Sequence, residues 1–329
     1  MNIYQPEKNR YHSRNTNYVY ALAGNADKST TYFPLLSFIT QRFKVIILLL
    51  AGILFTAFLY AQPKRQLQWI GGPTYVLQLG SFKVLTDPML SPQSDTAFII
   101  KKHPGTGALN AWIKRYIAPA AFDTAHTDVL LISHPHADHF DREAAAFLSK
   151  DLPVIVPPAG VATVQARGFR QVKGLKQQDT ITLKKGAETL QIIAVYAMHA
   201  EEEPLKTELG EVNGYIITHR YRNNVYRIYW TGDTVWFDDI QQYARFGKPD
   251  LLIPDMGAVG TDGTLGRRGL NAEDCLKIIE ALHPAKIIPV HHSTFSLYVE
   301  PVSHLQQLLD KTPYSRQLQV IPAGATVKL

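Results

Sequence analysis

The pattern of apolar and polar positions changes near residue 66. From there onward, short apolar, β-branched runs alternate with turn residues and with segments whose apolar residues recur every three or four positions. The first pattern predicts strands and the second predicts helices. The predicted strands are 75–79, 82–86, 129–133, 154–156, 190–198, 215–219, 226–231, 251–253 and 286–290, and the predicted helices are 142–149, 238–246, 272–282 and 302–309. The pattern predicts a mixed α/β protein, and because no long linker interrupts residues 66–329, we expect one domain there.

An uninterrupted, uncharged apolar run at residues 45–61 precedes the first predicted strand. Its length is at the short end for a transmembrane helix, and the basic side chains that flank it on both sides can extend it by reaching the lipid headgroups. We therefore expect a transmembrane signal anchor with basic flanks at 42–65, preceded by a poorly ordered tail at 1–41. A cleaved signal peptide and a buried core helix are the alternatives.

The positive charge of the chain is concentrated ahead of this apolar run. The net charge is +6, and the six basic and two acidic residues of 1–44 account for +4 of it. Such an excess favours a cytoplasmic position for the tail, so we expect the domain at 66–329 on the extracytoplasmic side. Because the charge belongs mainly to the tail, we expect no nucleic-acid partner. The single cysteine, Cys275, excludes an intrachain disulfide framework and a multi-cysteine zinc site.

Histidine and aspartate residues follow four of the predicted strands, at the point where each strand ends. They are His134, His136, Asp138 and His139 after 129–133, His199 after 190–198, Asp233 after 226–231, and His291 after 286–290. Strand ends are rigid platforms, and imidazoles with carboxylates but no thiolates are the ligands expected for catalytic zinc, or for iron or manganese. The sequence therefore predicts a metal centre where these strands end.

The spacing within the first motif indicates two metal ions. Alternate residues of an extended segment share a face, so His134 and His136 can chelate one ion, while Asp138 and His139 on the following turn reach a second. We expect the two divalent ions to bridge a water, lower its pKa and present hydroxide to a phosphorus or carbonyl centre. Asp138 and Asp233 are the candidate catalytic residues, since either carboxylate could accept a proton.

Five ordered motifs in residues 68–300 resemble the metallo-β-lactamase superfamily, and within it the branch that contains N-acyl-phosphatidylethanolamine phospholipase D and ascorbate-6-phosphate lactonase. They are Trp69-Ile70-Gly71, Leu85-Thr86-Asp87-Pro88, the motif at His134, Thr231-Gly232-Asp233-Thr234, and His291-His292-Ser293-Thr294-Phe295. The resemblance implies an αββα four-layer sandwich with two metal ions, most simply zinc, at one edge of the paired sheets. The predicted fold is this sandwich preceded by one N-terminal transmembrane helix.

The resemblance also implies roles for individual residues. His134, His136 and His199 would hold one metal ion, Asp138, His139 and His291 the other, and Asp233 would bridge the two. Asp87 and Asp141 would orient ligand imidazoles through their free N–H groups. His292 would be a pocket residue or a structural one.

Two departures from the branch pattern leave the substrate open. The chain has Gly71-Gly72-Pro73 where branch members commonly show Gly-His, and residues 257–271 lack a histidine that is often present there. Arg267 and Arg268 lie in that second segment, where paired guanidinium groups could bind a phosphate or could be solvated loop charges.

The leading hypothesis is a dinuclear metal-dependent hydrolase, acting as a phosphodiesterase on a lipid or another membrane-derived substrate. A lactonase or other cyclic-ester hydrolase would use the same centre without change, and a non-catalytic metal-binding envelope protein is the third alternative. A fold hosts many chemistries, so the substrate has to be inferred from the site. The expected partners are a small-molecule or lipid substrate and the membrane, and the sequence leaves the oligomeric state open.

Overall fold

The described part of the chain begins after the predicted anchor. The computed structural model describes residues 63–100, 111–261, 263 and 265–329, together with the isolated positions 43, 46 and 47. Those three positions apart, the predicted tail and the predicted anchor up to residue 62 lie outside the described residues. No helix in the described ranges combines the length and apolar character needed to cross a bilayer. Residues 62–329 cluster as one unit by their contacts.

Fourteen strands are present in the described residues. In chain order they are β1 Arg65–Gly71, β2 Thr74–Leu79, β3 Phe82–Thr86, β4 Ser94–Ile100, β5 Ala111–Arg115, β6 Val129–Leu131, β7 Val154–Val156, β8 Val172–Gly174, β9 Thr180–Lys185, β10 Glu188–Ala197, β11 Val212–Tyr221, β12 Asn224–Trp230, β13 Leu251–Ile253 and β14 Thr326–Lys328. They form a seven-stranded sheet, β14-β1-β2-β3-β6-β7-β8, a five-stranded sheet, β13-β12-β11-β10-β9, and the separate hairpin β4-β5.

The helices are short, with one exception. They are α1 Arg142–Phe147, α2 Val161–Ala166, α3 Leu205–Leu209, α4 Ala272–Leu282 and α5 Ser303–Leu309, and the 3₁₀ segments are Pro158–Gly160, Asp238–Phe246 and Ser315–Gln317. The side chain of Asn271 caps α4 by accepting from the Asp274 amide, as expected for asparagine at this position. The helix ends at His283, whose left-handed backbone stops the helical repeat.

The two large sheets pack face to face with helices on their outer sides. Leu77 of β2 and Ile217 of β11 belong to the core between the sheets. Val76 points the opposite way, because successive strand residues alternate between faces, and packs with Ala144 of α1 and Val164 of α2. On the other outer face, α4 and α5 cover the five-stranded sheet. These layers confirm the predicted α/β sandwich.

One predicted element is wrong in type. Residues 286–290 make only isolated bridges, at Ile287 and Val290, and do not form a regular strand. Pro289 lies within this run, and a proline has no amide hydrogen to donate to a sheet ladder. The predicted helix 238–246 is present with those bounds and has 3₁₀ geometry.

Candidate metal centre

Seven side chains converge at the edge where β6, β10 and β12 end. They fall into two groups, and within each group the potential donor atoms lie within 4.8 Å of one another. The first group is His134, His136 and His199, and the second is Asp138, His139, Asp233 and His291. All seven residues that the sequence predicts as ligands are therefore brought together. His136 and Asp138 are partly exposed, and the other five are buried.

The Asp233 carboxylate belongs to the second group and also lies close to the first. Its Oδ2 is 3.8 Å from His199 Nε2 of the first group and 3.3 Å from His139 Nε2 of the second. Its Oδ1 is 3.6 Å from His291 Nε2. These separations are longer than ordinary hydrogen bonds, whereas two donors held tetrahedrally by one zinc ion are about 3.4 Å apart. The spacing therefore suits a carboxylate shared between two ions.

Hydrogen bonds fix the orientation of three of the imidazoles. His139 Nδ1 is 2.6 Å from the Asp87 carboxylate, and His199 Nδ1 is 2.8 Å from the backbone carbonyl of Arg268. His291 Nδ1 is 2.9 Å from the carbonyl of Met256. When Nδ1 donates to these oxygens, the Nε2 atoms carry free lone pairs that face the centre, which is the arrangement metal-binding histidines use.

Several polar atoms at this centre are buried without a hydrogen-bond partner in the described part of the chain. They are the Nε2 atoms of His134, His139 and His291 and the Oδ1 atom of Asp233. A buried polar atom that makes no hydrogen bond is costly, so a cluster of four requires an explanation. Divalent metal ions supply one, because each of these atoms is a metal donor. The residues present therefore fit a metal centre.

The carboxylates of the cluster attract positive charge. Burial lowers the pKa of His139, but the carboxylates of Asp233, Asp138 and Asp87 outweigh it and raise the pKa well above its ordinary value. Burial is likewise outweighed at His291, whose pKa rises to about 9 mainly because of Asp233. The carboxylates therefore favour positive charge at the centre of the cluster, as bound cations would supply.

The backbone of His291 is in the left-handed conformation, and it is hydrogen-bonded to the turn at Gly71-Gly72-Pro73. His291 has φ +58, a conformation that residues with a side chain rarely adopt. Its amide donates 2.8 Å to the carbonyl of Gly72, and the Gly72 amide donates 2.9 Å to Thr294 Oγ1. A Cβ atom on Gly72 would lie 3.0 Å from the Phe295 ring. This turn positions a candidate ligand through its backbone.

Asp87 and Asp141 have different surroundings, although both are expected from the sequence to orient ligand imidazoles. Asp87 is fully buried and contacts His139. Asp141 instead caps α1 by accepting from the Ala144 amide, and it also accepts from the amide and the hydroxyl of Ser91. The prediction for Asp141 is wrong, because a helix that begins at residue 142 uses this carboxylate as its N-cap.

The candidate substrate-binding residues also separate. Arg267 is exposed and forms an ion pair with Asp274, whereas Arg268 is buried beside the cluster. His292 is buried, and its ring packs 4.6 Å from that of Trp69. Burial lowers the pKa of His292 to about 4, so this imidazole is neutral. These contacts assign His292 to packing beneath the site.

A cavity of about 360 Å³ opens on the cluster, with His136, Asp138, His199 and Asp233 in its lining. An apolar wall forms another part of the lining, from Phe98, Ile99 and Ile100 of β4, Leu205 and Leu209 of α3, and Val259 and Leu297. Arg167, Glu208 and Arg268 supply charged groups. Sequence reasoning missed the apolar wall, and the only signal was the apolar end of β4.

Sequence reasoning also missed Asp255, which follows β13. It is fully buried, accepts 2.9 Å from Trp230 Nε1, and lies close to Asp87 and His139. Burial raises its pKa to about 7. Its place after the strand 251–253, like that of Asp233 after β12, was the available signal.

Comparison with known proteins agrees with this arrangement. The β-lactamase superfamily domain model matches residues 83–292. The UPF0173 protein YddR of Bacillus subtilis is 29% identical over 258 residues, which cover 78% of this chain and 96% of that protein. A UPF0173 metal-dependent hydrolase of Thermus thermophilus is 26% identical over 230 residues, covering 70% of this chain and 84% of that protein.

A further relative is the mitochondrial N-acyl-phosphatidylethanolamine-hydrolyzing phospholipase D of Saccharomyces cerevisiae. It is 27% identical over 252 residues, which cover 74% of this chain and 51% of that protein, so the match spans about half of the relative's length.

Among solved structures, the isothiocyanate hydrolase from Delia radicum gut bacteria superposes with a TM-score of 0.66 at 24% identity, covering 80% of this chain and 98% of its own. A possible metal-dependent hydrolase from Veillonella parvula gives 0.66 at 20% identity, covering 82% and 100%. At these identities the likeness concerns the fold alone. Together with the converging histidines and aspartates, the match over 83–292 shows that the chain belongs to the β-lactamase superfamily and is a metal-dependent hydrolase.

Proposed function

We propose that the protein is a phosphodiesterase that uses two divalent ions, with zinc as the leading metal and iron or manganese as alternatives, on a lipid or another membrane-derived substrate. One observation carries the two-ion part of the proposal. Asp233 presents Oδ2 to His199 and to His139, and Oδ1 to His291, so a single carboxylate faces both donor groups. This is the arrangement expected of a bridging ligand.

The two groups divide the ligands between the ions. One ion would be held by His134, His136 and His199, the other by Asp138, His139 and His291, with Asp233 shared. When bound, such ions supply an activated water and polarise the oxygen of the bond under attack.

Asp138 and Asp233 have different access to a substrate. Both line the cavity, but the Asp138 side chain is 14% exposed and that of Asp233 only 5%. Burial alone would raise the pKa of Asp138, but His139 and His291 lower it to about 2, so the carboxylate is ionised near neutral pH. We propose that Asp138 accepts the proton of the attacking water, while Asp233 holds the donor groups together.

The shape of the cavity supports a substrate with an apolar part. The apolar wall and four of the donor residues line the same cavity, so an apolar chain attached to the reacting phosphate has apolar side chains to contact there. Burying apolar surface there contributes about 25 cal/mol per Å². The phospholipase D named above is a relative whose name includes a lipid substrate, and this supports the same class of substrate for this chain.

Activity assays on the purified full-length chain test the proposal. We expect about two metal ions per chain, and hydrolysis of bis-p-nitrophenyl phosphate and of a glycerophospholipid diester that exceeds hydrolysis of a homoserine lactone. Asp233→Ala should remove both metal and activity. Asp151→Ala is the matched control, because Asp151 is exposed and its carboxylate pairs with Arg170 at the surface, away from the donor groups. Full activity in Asp233→Ala, or preferred turnover of the lactone, would contradict the proposal.

We further propose that residues 42–65 anchor the protein in a membrane, with the hydrolase domain on the extracytoplasmic side. The apolar run at 45–61 and the excess of basic residues ahead of it support this topology. Protease added to intact cells with a permeabilised outer envelope should degrade the hydrolase domain, while a tag placed at the N-terminus should stay protected. Degradation of the tag with protection of the domain would reverse the topology.

A further inference from the structure

Arg268 places a charged group in the cavity wall beside the donor cluster. Its residue exposure is only 8%, although arginine is usually among the most exposed residues. It lines the same cavity as His136, His199 and Asp138. Burial lowers the pKa of the guanidinium, yet an arginine stays protonated under physiological conditions. A permanent positive charge therefore belongs to a residue in the lining of the cavity that the donor residues share.

No carboxylate among the described residues forms an ion pair with this guanidinium. Its hydrogen bonds there go to the backbone carbonyls of Leu265 and Gly266, which are neutral acceptors. The neighbouring Arg267 differs, because its guanidinium pairs with the buried carboxylate of Asp274. A buried charge without a counter-ion is costly. The charge of Arg268 is thus available to a ligand in the cavity.

The three carboxylates that influence the pKa of Arg268 do not form ion pairs with it in the described structure. Asp138, Glu208 and Asp233 raise its pKa through space, but none of them is within ion-pair distance in the described structure. Asp138 and Asp233 are also members of the second donor group, and metal ions would compete for their charge. Glu208 is the remaining acid of the cavity lining, and it lies on the short helix α3.

The backbone of Arg268 is fixed to the site from both sides. Its amide donates 2.9 Å to the carbonyl of Val259, and its own carbonyl is 2.8 Å from His199 Nδ1. The residue that orients a candidate ligand imidazole therefore also carries a guanidinium that forms no ion pair among the described residues. These two contacts fix the backbone of Arg268 relative to the first donor group.

We propose that Arg268 binds the negatively charged oxygen of the substrate next to the bond that is cleaved, and so makes the enzyme selective for anionic esters over neutral ones. This inference rests on the proposed hydrolase function and names its substrate class. A phosphate diester carries such an oxygen, whereas a phosphate triester or a lactone does not. Hydrogen bonds between a guanidinium and a phosphate oxygen are charge-assisted and directional.

The test compares two substrates that share a leaving group and differ in charge. Methyl p-nitrophenyl phosphate is a monoanion, and dimethyl p-nitrophenyl phosphate is its neutral counterpart. On the metal-loaded full-length chain, Arg268→Gln is expected to lower kcat/KM for the diester by about 10- to 100-fold, as loss of a charged hydrogen bond implies, and to change the triester rate by less than about threefold. Arg268→Lys should recover part of the diester rate.

Arg267→Gln is the matched control, since it removes the same charge from the adjacent position and leaves the cavity lining unchanged. Metal content and thermal midpoint are measured for every variant, because the Arg268 carbonyl contacts His199. Equal losses on the two substrates at unchanged metal content, or no loss on either, would overturn the inference.

A binding measurement separates this inference from the proposed function. If the wild-type chain hydrolyses neither ester, the phosphodiesterase proposal fails, and calorimetric titration with inorganic phosphate still tests Arg268. We expect Arg268→Gln to weaken phosphate binding by about tenfold or more relative to Arg267→Gln. Equal phosphate affinity in the two variants would show that Arg268 does not bind anions.

Discussion

Asp87→Asn is expected to weaken metal binding without removing a ligand. The Asp87 carboxylate is fully buried and accepts from the amide and hydroxyl of Ser133 as well as contacting His139 Nδ1. Asparagine has one acceptor oxygen, so its amide group must face at least one of these donors. Loss of such a supporting carboxylate costs about 10- to 100-fold in metal affinity, or about 1.4 to 2.7 kcal/mol. The unsatisfied group costs a further 1 to 3 kcal/mol or so of folding stability.

Asp141→Asn is the matched control for this substitution. Its carboxylate also accepts three hydrogen bonds, from the Ala144 amide and from the amide and hydroxyl of Ser91. Within the described structure these bonds do not involve an imidazole. Asparagine caps helices about as well as aspartate, so we expect a stability loss of about 1 kcal/mol and no change in metal affinity.

The assay is a zinc titration of chelator-stripped protein against a chromophoric competitor at fixed pH. The dissociation constant should rise about 10- to 100-fold for Asp87→Asn and stay within about twofold of wild type for Asp141→Asn. Thermal unfolding of the same samples separates the stability effect from the affinity effect. Equal affinities for the two variants would refute the assigned role of Asp87.

Three smaller predictions concern the frame around the site. Burial alone would raise the pKa of Glu188, but hydrogen bonds, first from the Ser81 amide, hold it below its ordinary value. The ionised carboxylate therefore stabilises the fold at a pH above its ordinary pKa, and this stabilisation is lost as the pH falls through the lower pKa of the folded state. Glu188→Gln should accordingly lower the thermal midpoint more at pH 7 than near pH 4. Tyr215→Phe leaves a buried carbonyl without its 2.7 Å hydrogen bond and should cost about 1 to 2 kcal/mol in denaturant unfolding at unchanged metal content. Gly257→Ala places a Cβ atom 2.9 Å from the His291 carbonyl at φ +106, so metal analysis and melting should show losses of both zinc and stability.

The fold could be predicted from sequence where a strand is both apolar and central. The bounds of β3, β7 and β13 agree with prediction because their runs are buried on both faces and end at turn residues. β9 was missed because it lies at a sheet edge, where its threonines and lysines are exposed and Ile181 and Leu183 are only partly buried. β1 begins with polar residues, although Arg65 is held inside by a hydrogen bond to His219. Edge position and buried polar contacts are set by tertiary structure, which a local pattern does not contain.

The candidate ligands could be predicted because sheet ladders deliver strand ends to one edge. His199 follows β10 and Asp233 follows β12, and the pairing of these strands with β11 fixes their relative position. The roles of Asp87 and Asp141 could also be separated in this way. The predicted helix 142–149 begins directly after Asp141, which is the N-cap position, whereas Asp87 follows the predicted strand 82–86.

The residues proposed to contact the substrate were the hardest to predict, and the two adjacent arginines show why. Arg267 and Arg268 are the same amino acid at neighbouring positions of one loop, so the local sequence gives no reason to distinguish them. The difference arises from contacts distant in sequence, since His199 and Val259 hold the backbone of Arg268. Arg268 lines the cavity, whereas Arg267 pairs with Asp274. Candidate ligands that follow strands could therefore be predicted from the sequence, whereas the proposed role of Arg268 depends on contacts of a loop that form only in the folded protein.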